Sequence, residues 1–526
     1  MKRIIALLLT VLMLAGVASA AFTDADKIGT EYQAAVEAMS EKKIIAGFED
    51  GSFKPRDTLT RAQAAKIICT LLVGEAVPDG KTEFADVPAG HWAEKFVAYC
   101  ASKGIVAGVG SGKFNPNGKL TGAAFAKMLL VAYGHDAEKE GLVGDKWLVN
   151  TQKAMREGGM NYNAPATDDP IARQVACQMA YNFYYTAEID KADPAKYKDN
   201  SISFKNGTNL KVNGRAEATS AGVILNFPGD YVEFTLTCKG TLTLNFTADE
   251  TAYYACFVDG VEFARRAAVN SSGSTATLCQ FVAPGEHTVR IVRDSEVSTS
   301  GKTTTLTGVT VACDASTMKA TAQKPYYIEY IGDSITAGCG TLGDNKTRWD
   351  NATHAGSKSY GYFTSELLDA DFALIAKGGI GFTKPATGVT VEQMFTLQHA
   401  WRDSKAADKV TRHPNIVVCA IAANDAREDP DTRFHDEMVK FAAVMRKQEP
   451  NAKIVFIYNL MSDKHAKTIQ DTCVELGGAA KGFYEFEMLR GNNGVPATSS
   501  NSGHPSTADN LKSAPLLAEF LKPLLK

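Results

Sequence analysis

The chain has 526 residues, with 56 basic and 59 acidic side chains and a formal net charge of -3. So even a balance gives no electrostatic basis for binding nucleic acid or an anionic membrane surface, and neither is expected as a partner. At about 150 residues per domain this length predicts three or four domains, and the composition is that of folded soluble protein.

Residues 1–20 read as a secretory signal: Lys2 and Arg3, an apolar run from Ile4 to Val17, then Ala18-Ser19-Ala20, a small-x-small cleavage pattern. The run is short of the roughly 20 residues that a spanning helix needs. The mature chain is therefore expected to be exported without a membrane span. Its ten cysteines are scattered singly, with neither C-x-x-C pairs nor zinc-ligand spacing, so no metal is expected. Most sit in apolar contexts, as in KIICTLL around Cys69, which suits small buried hydrophobes. One or two bridges among Cys238, Cys256 and Cys279 stay open.

Internal repetition dominates residues 21–193, with copies at about 21–80, 81–140 and 141–193. Phe22-Thr23-Asp24 recurs as Phe84-Ala85-Asp86, and the segment Lys42 to Ile68 recurs as Ser102 to Leu129. Each copy predicts helix, glycine turn, a Phe-x-Pro loop, and a second helix opened by a threonine cap. The third copy is weaker, with Trp147 in the place of Trp92. These units resemble S-layer homology repeats, which attach exported proteins to pyruvylated secondary polymers of Gram-positive-type cell walls. The family's binding run is threonine-arginine-alanine-glutamate. Here it reads Thr60-Arg61-Ala62-Gln63 in the first copy, Thr121-Gly122-Ala123-Ala124 in the second, and keeps only Arg173 in the third. The resemblance therefore implies cell-wall-polymer or peptidoglycan binding through Thr60, Arg61 and Arg173, with the groove of the second copy weakened. A guanidinium at a helix N-terminus reinforces an anion site already favoured by free amides and the dipole.

From about Pro194 to Ser316 the texture becomes stranded: short Val-, Thr-, Phe- and Tyr-rich segments separated by Gly, Asn, Asp and Pro. Their spacing predicts an antiparallel β-sandwich of jelly-roll type over 194–316. Tyr253, Tyr254 and Arg215 read either as a sugar-binding face or as packing.

Over 324–526 apolar strand-length runs alternate with helical stretches, which predicts a parallel sheet covered on both faces. In such sheets ligands bind outside the carboxyl ends of the strands. YYIEYIGDS puts Ser334 at a strand end; after DFALI comes Lys377-Gly378-Gly379-Ile380-Gly381; after NIVVCAI comes Asn424-Asp425; and His504 lies in NSGHPS before the last helix. Nucleophile, backbone donors, amide donor and base are the parts of an acyl-transfer site. Among the other histidines, His465 is the serious competitor as base, while His354 reads as a loop residue.

In combination these blocks resemble the SGNH, or GDSL, hydrolases, a three-layer α/β fold. The sandwich-plus-hydrolase pair resembles the family-two carbohydrate esterases, whose substrates are O-acetylated plant polysaccharides such as xylan or mannan. The resemblance implies Ser334 as nucleophile and His504 as base. The oxyanion hole is formed by Ser334, Gly379 and Asn424, with Gly378 an alternative register, and no cofactor is required. It departs from the pattern at Ala422, where glycine is usual, and at Asn501, where a carboxylate would orient the histidine. A Ser-His dyad is the expectation, with the orienting group unassigned. Two rival readings keep the same fold: a surface glycan-binding protein with a degenerate hydrolase domain, and an esterase acting on the cell's own wall polymer or lipids.

Overall fold

A computed structural model describes residues 22–29, 32–158, 160–262, 267–343, 350–402, 412–425, 431–458, 465–488 and 504–525. The signal segment at 1–20 and Asn501 lie outside the described residues. The chain forms two compact units, the first reaching Tyr197 and the second beginning at Lys198, apart from residues 261–262 and 281–285, which group with the first.

The first unit carries two helices per copy, α1 (Gln33–Glu41) and α2 (Arg61–Val73), α3 (Glu94–Ser102) and α4 (Gly122–Ala132), α5 (Trp147–Glu157) and α6 (Arg173–Lys191), and they pack between copies, α2 on α3, α4 on α5 and α6 on α1. The repeated motif has a physical reason. Asp24 accepts from the backbone N–H groups of Phe53 and Lys54, and Asp86 does the same for Phe114 and Asn115. Phe22 packs on Phe53 and Phe84 on Phe114. Gly47 and Gly108 leave room for those rings, since a Cβ would lie 2.6 Å from Phe22 and 2.8 Å from Phe84. Thr60 caps α2 in a reciprocal box with Gln63, and Thr121 caps α4. The three copies close on one another: the Leu59 N–H donates to Ile171 O, Ile171 N–H to Leu120 O, and Leu120 N–H to Leu59 O, at 2.9–3.0 Å.

The strands that follow along the chain are β1 (Lys198–Ser203), β2 (Lys211–Asn213), β3 (Glu217–Ala218), β4 (Val223–Ile224), β5 (Tyr231–Ala248), β6 (Ala252–Val258), β7 (Val261–Glu262), β8 (Ala267–Val269), β9 (Thr275–Arg293) and β10 (Thr304–Ala320), all in the second unit except β7 and the 281–285 stretch of β9. β10 pairs antiparallel with β1, β4 and β5, and β6 pairs antiparallel with β8 and β9. All ten cysteines are buried free thiols, so the bridges left open among Cys238, Cys256 and Cys279 are not formed. Tyr254 is fully buried and Arg215 nearly so, which removes both from any sugar-binding face and leaves packing as their role.

The chain then continues as β11 (Tyr326–Gly332), α7 (Tyr360–Leu367), β12 (Ala370–Ala376), α8 (Val391–Thr396), β13 (Ile416–Ala420), α9 (Asp431–Gln448), β14 (Lys453–Tyr458), α10 (Ala466–Glu475), β15 (Phe483–Glu487) and α11 (Thr507–Leu521). The five strands form a parallel sheet in the order β12-β11-β13-β14-β15. β12 is buried at every position and β13 likewise, as the unbroken apolar runs require of strands covered on both faces.

The two sheets are joined by buried charges. Asp371, at the start of β12, accepts from Lys211 Nζ at 2.6 Å and from the Tyr231 hydroxyl at 2.7 Å, and it is also paired with Arg412. Arg290 bridges Glu233 on β5 and Glu366 on α7, and Asn213 donates to Phe372 O. Burial alone would raise the pKa of Asp371, but Lys211 and the Tyr231 hydroxyl hold it below the usual carboxylate range. Removing one partner of such a set strands the others. Asp371→Ala is therefore expected to lower unfolding free energy by about 3–5 kcal/mol, measured by urea denaturation, and a change under about 1 kcal/mol would show the seam to be incidental.

Candidate active site

The sheet order reverses at β11: the chain steps outward to β12, then crosses back to β13 on the other side. Gly332 pairs with both Ala376 and Ala420, so the loops leaving β11, β12 and β13 start at one level. That is the switch-point crevice in which ligands bind in open α/β sheets. These loops carry Ser334, the 378–381 glycine turn and Asn424.

Gly332 is fixed by its neighbour, because a Cβ there would lie 1.9 Å from Thr336 Oγ1. The following turn is tightly bonded, with Asp333 O accepting from Ala337 N–H at 3.0 Å and Ser334 O from Cys339 N–H at 2.9 Å. His504 Nε2 stands 2.8 Å from Ser334 Oγ across 170 residues of chain, and both residues are buried. Two residues beyond His504, Ser506 caps α11 in a box with Asp509. The Thr507 N–H and hydroxyl both donate to Thr341 O, at 3.1 and 3.2 Å, which ties the start of that helix to the turn that carries Ser334. Asn510 adds a second tie by accepting from Tyr360 N–H at 2.9 Å. The competitor His465 is instead stacked on Phe434, ring centroids 4.0 Å apart, with Nε2 3.4 Å from Asp425 O.

Gly379 has φ +83°, a left-handed conformation suited to glycine, with open space where a Cβ would stand. The N–H of Gly378, the alternative register, donates to Glu296. Asn424 Nδ2 donates to Ile380 O at 2.9 Å and lies 3.3 Å from Asp333 Oδ2. Asp425 grips the far end of the glycine turn, accepting from Phe382 N–H, Thr383 N–H and the Thr383 hydroxyl. Burial, with the charge of Asp425 adding to it, pushes the Asp333 carboxyl up to about 7.

Sequence reading missed Glu296, Thr341 and Asn510, none of which lies within a catalytic block. It also took His354 for a loop residue. His354 is fully buried, and its ring, the Cys339 thiol and the Glu296 carboxylate bring their donor atoms within 4.8 Å of one another. Among the described residues this is a group that could hold a metal ion, but Lys377 Nζ and the Gly378 N–H already engage both Glu296 oxygens.

The residues expected at the wall-binding grooves of the first unit are bonded within it. Arg61 Nε donates to Phe114 O at 2.8 Å and Nη2 to Ala107 O at 2.7 Å, with the guanidinium over the Phe114 ring. Arg173 repeats the arrangement on Phe53 O and Ala46 O, over Phe48 and Phe53. The Thr60 hydroxyl serves the helix cap.

Residues 21–65 and 83–126 match the S-layer homology domain family, and residues 212–320 match the carbohydrate esterase 2 N-terminal family. The chain is 30% identical over 213 residues to a surface-layer 125 kDa protein of Lysinibacillus sphaericus, covering 36% of this chain and 18% of that one. It is 29% identical over 218 residues to an acetylxylan esterase / glucomannan deacetylase of Cellvibrio japonicus, covering 38% of this chain and 58% of that one. The chain thus spans about a fifth of the surface-layer relative and under two thirds of the esterase. The fold is shared with a family two carbohydrate esterase from Clostridium thermocellum solved with cellohexaose, at TM-score 0.54 and 21% identity over 60% of this chain and 99% of that one. It is also shared with an acetyl xylan esterase from Butyrivibrio proteoclasticus, at TM-score 0.55 and 17% identity over 62% and 99%. The chain therefore carries S-layer homology domains and a carbohydrate esterase 2 N-terminal domain, followed by a parallel-sheet domain, and its structural neighbours are family-two carbohydrate esterases.

Proposed function

We propose that this chain is a serine esterase, held at the bacterial cell surface by its S-layer homology repeats, that removes O-acetyl groups from polysaccharide. The observation that carries the reading is the 2.8 Å contact between Ser334 Oγ and His504 Nε2 at the switch point of the sheet. The names of an acetylxylan esterase / glucomannan deacetylase and an acetyl xylan esterase among its relatives and neighbours support the choice of substrate class.

In this reading the Ser334 hydroxyl attacks the acetyl carbonyl while His504 Nε2 takes its proton. The backbone N–H groups of Ser334 and Gly379 and the Asn424 side-chain amide hold the negative charge that develops on the carbonyl oxygen. Asn424 stays anchored on Ile380 O, and its longer contact to Asp333 gives way to the oxyanion. His504 returns the proton to the departing sugar hydroxyl, and water then releases acetate from Ser334 with His504 again as base. The repeats bind the secondary wall polymer, and the sandwich is the jelly-roll partner of the hydrolase.

Acetate release from acetylated xylan and glucomannan tests the reading directly. Ser334→Ala is expected to lower kcat by at least about 10⁴-fold, whereas no release from either polymer or from a simple acetate ester would point to a glycan-binding protein. Asn424→Ala is expected to lower kcat by about 10²–10³-fold with the fold intact, measured on 4-nitrophenyl acetate beside a thermal melt. Because neutral His504 is the base, kcat/KM should fall as acid protonates the imidazole, and a flat profile from about pH 5 to 8 would exclude that base.

A further inference from the structure

Glu296 lies in the sandwich domain, between β9 and β10, yet its carboxylate reaches the loop that follows β12 of the hydrolase sheet. One oxygen accepts from Lys377 Nζ at 2.7 Å and the other from the Gly378 backbone N–H. A Cβ on Gly378 would lie 2.7 Å from Glu296 Oε1 and 3.5 Å from the Ser334 Cβ, so this backbone is wedged between the carboxylate and the nucleophile. The carboxylate is itself held from behind: Arg293 donates to the carbonyls of Ser295 and Glu296 and pairs with Glu250 at 2.8 Å. Beside it, Asp294 accepts from the N–H groups of Gly356 and Ser357 in the loop that leads into α7. Burial would raise the pKa of Glu296, but the Lys377 ammonium and the Gly378 N–H hold it below the usual carboxylate range, so it stays charged at neutral pH.

A turn reading Gly378-Gly379-Ile380-Gly381 has the largest backbone entropy to lose, and a donor aimed at an oxyanion works only if it is already in place. We infer that Glu296 is a positioning residue for catalysis: by clamping Lys377 and the Gly378 N–H, it fixes the 377–378 peptide, and so the residue from which the next peptide aims the Gly379 N–H at the oxyanion. The inference rests on the esterase reading above and makes the sandwich domain part of the catalytic apparatus. Gly378 and Gly379 thus divide the labour, one N–H binding the clamp and the next the reacting oxygen.

The test uses the full chain, with Glu296→Ala, Glu296→Gln and Lys377→Met assayed on 4-nitrophenyl acetate. Glu296→Ala is expected to lower kcat by about 10²-fold, the order seen for loss of one oxyanion donor, with KM within about twofold of the parent. Glu296→Gln keeps an oxygen for the Gly378 N–H and should recover most of that loss, while Lys377→Met should lower kcat only about threefold, since the amide contact remains. A kcat for Glu296→Ala within twofold of the parent, or a loss carried by KM alone, overturns the inference. Should Glu296→Ala fail to fold, wild-type kcat in both other variants overturns it as well. Hydrogen exchange across residues 376–382 gives a readout that does not need turnover: the segment should exchange about tenfold faster in Glu296→Ala and close to the parent's rate in Glu296→Gln, and unchanged protection in Glu296→Ala overturns the clamp. A parent protein that cleaves no acetate ester would instead sink the esterase reading while leaving that exchange result to decide the clamp.

Discussion

A serine hydroxyl is a nucleophile only while a base stands within hydrogen-bonding distance, and here the two partners are 170 residues apart in the chain. Loop closure over that distance cannot come from local preference; it has to be imposed by the sheet. The order β12-β11-β13 brings three loops to one crevice, and α11 carries the fourth residue back to it. The ties around the contact explain its rigidity. Thr507 is fastened to Thr341, and Asn510 to the first residue of α7, so the helix that delivers His504 is registered against the turn that delivers Ser334.

The same crevice collects buried carboxylates, each with a different task set by its partners. Asp425 accepts three hydrogen bonds from the 382–383 segment and closes the far end of the glycine turn, whose Gly381 could not bear a Cβ within 2.4 Å of that carboxylate. Glu296 holds the near end. Among the described residues no cation pairs with Asp333 in that way, and its carboxyl rises to about 7 through burial and the field of Asp425. The glycine turn is thus suspended between two acids, one from the parallel-sheet domain and one from the antiparallel-sheet domain. Unpaired, either acid would be costly to bury; bonded to backbone N–H groups, each converts a flexible segment into a fixed one.

Much of this was legible in the sequence because the relevant signals are local. The apolar runs gave the parallel strands, DFALI falling inside Ala370–Ala376 and KIVFIY matching Lys453–Tyr458, and the residues after each run gave the loops of the crevice. The repeats were legible from Phe-x-Asp and Phe-x-Pro. What stayed hidden are contacts between segments far apart in the chain. Glu296 sits in a polar stretch, VRDSEVSTS, where an acid reads as solvated, and nothing nearby in sequence shows that its oxygens meet Lys377 and Gly378, more than eighty residues on. Arg215 is similar: as a residue type it fits a sugar-binding face, but its burial depends on Glu329 and the Phe395 carbonyl. Ala422, where glycine is usual, lies outside the left-handed region of backbone space, so the extra methyl brings no backbone strain.

The second repeat shows why a missing motif residue is not the same as a deleted function. In the first and third copies the helix opens on an arginine whose guanidinium spans to a neighbouring loop: Arg61 to the 107–114 segment, Arg173 to the 46–53 segment. In the second copy the equivalent Gly122 donates its own N–H to Asp169 O, and Ala123 donates to Thr167 O. A Cβ on Gly122 would meet the backbone of Pro165 and Thr167 at 3.1–3.2 Å. Arg61 and Ala62 make the same two backbone contacts, to Gly118 O and Pro116 O at 3.0 Å, and Arg173 and Gln174 make them to Asp57 O and Pro55 O, so this approach is common to the three copies and what the second lacks is the guanidinium. The missing arginine therefore costs the second copy none of the backbone contacts through which Leu59, Leu120 and Ile171 close the ring, and an arginine there would need the backbone at Pro165 and Thr167 to give by only a few tenths of an ångström before its guanidinium could reach a neighbouring loop as Arg61 and Arg173 do.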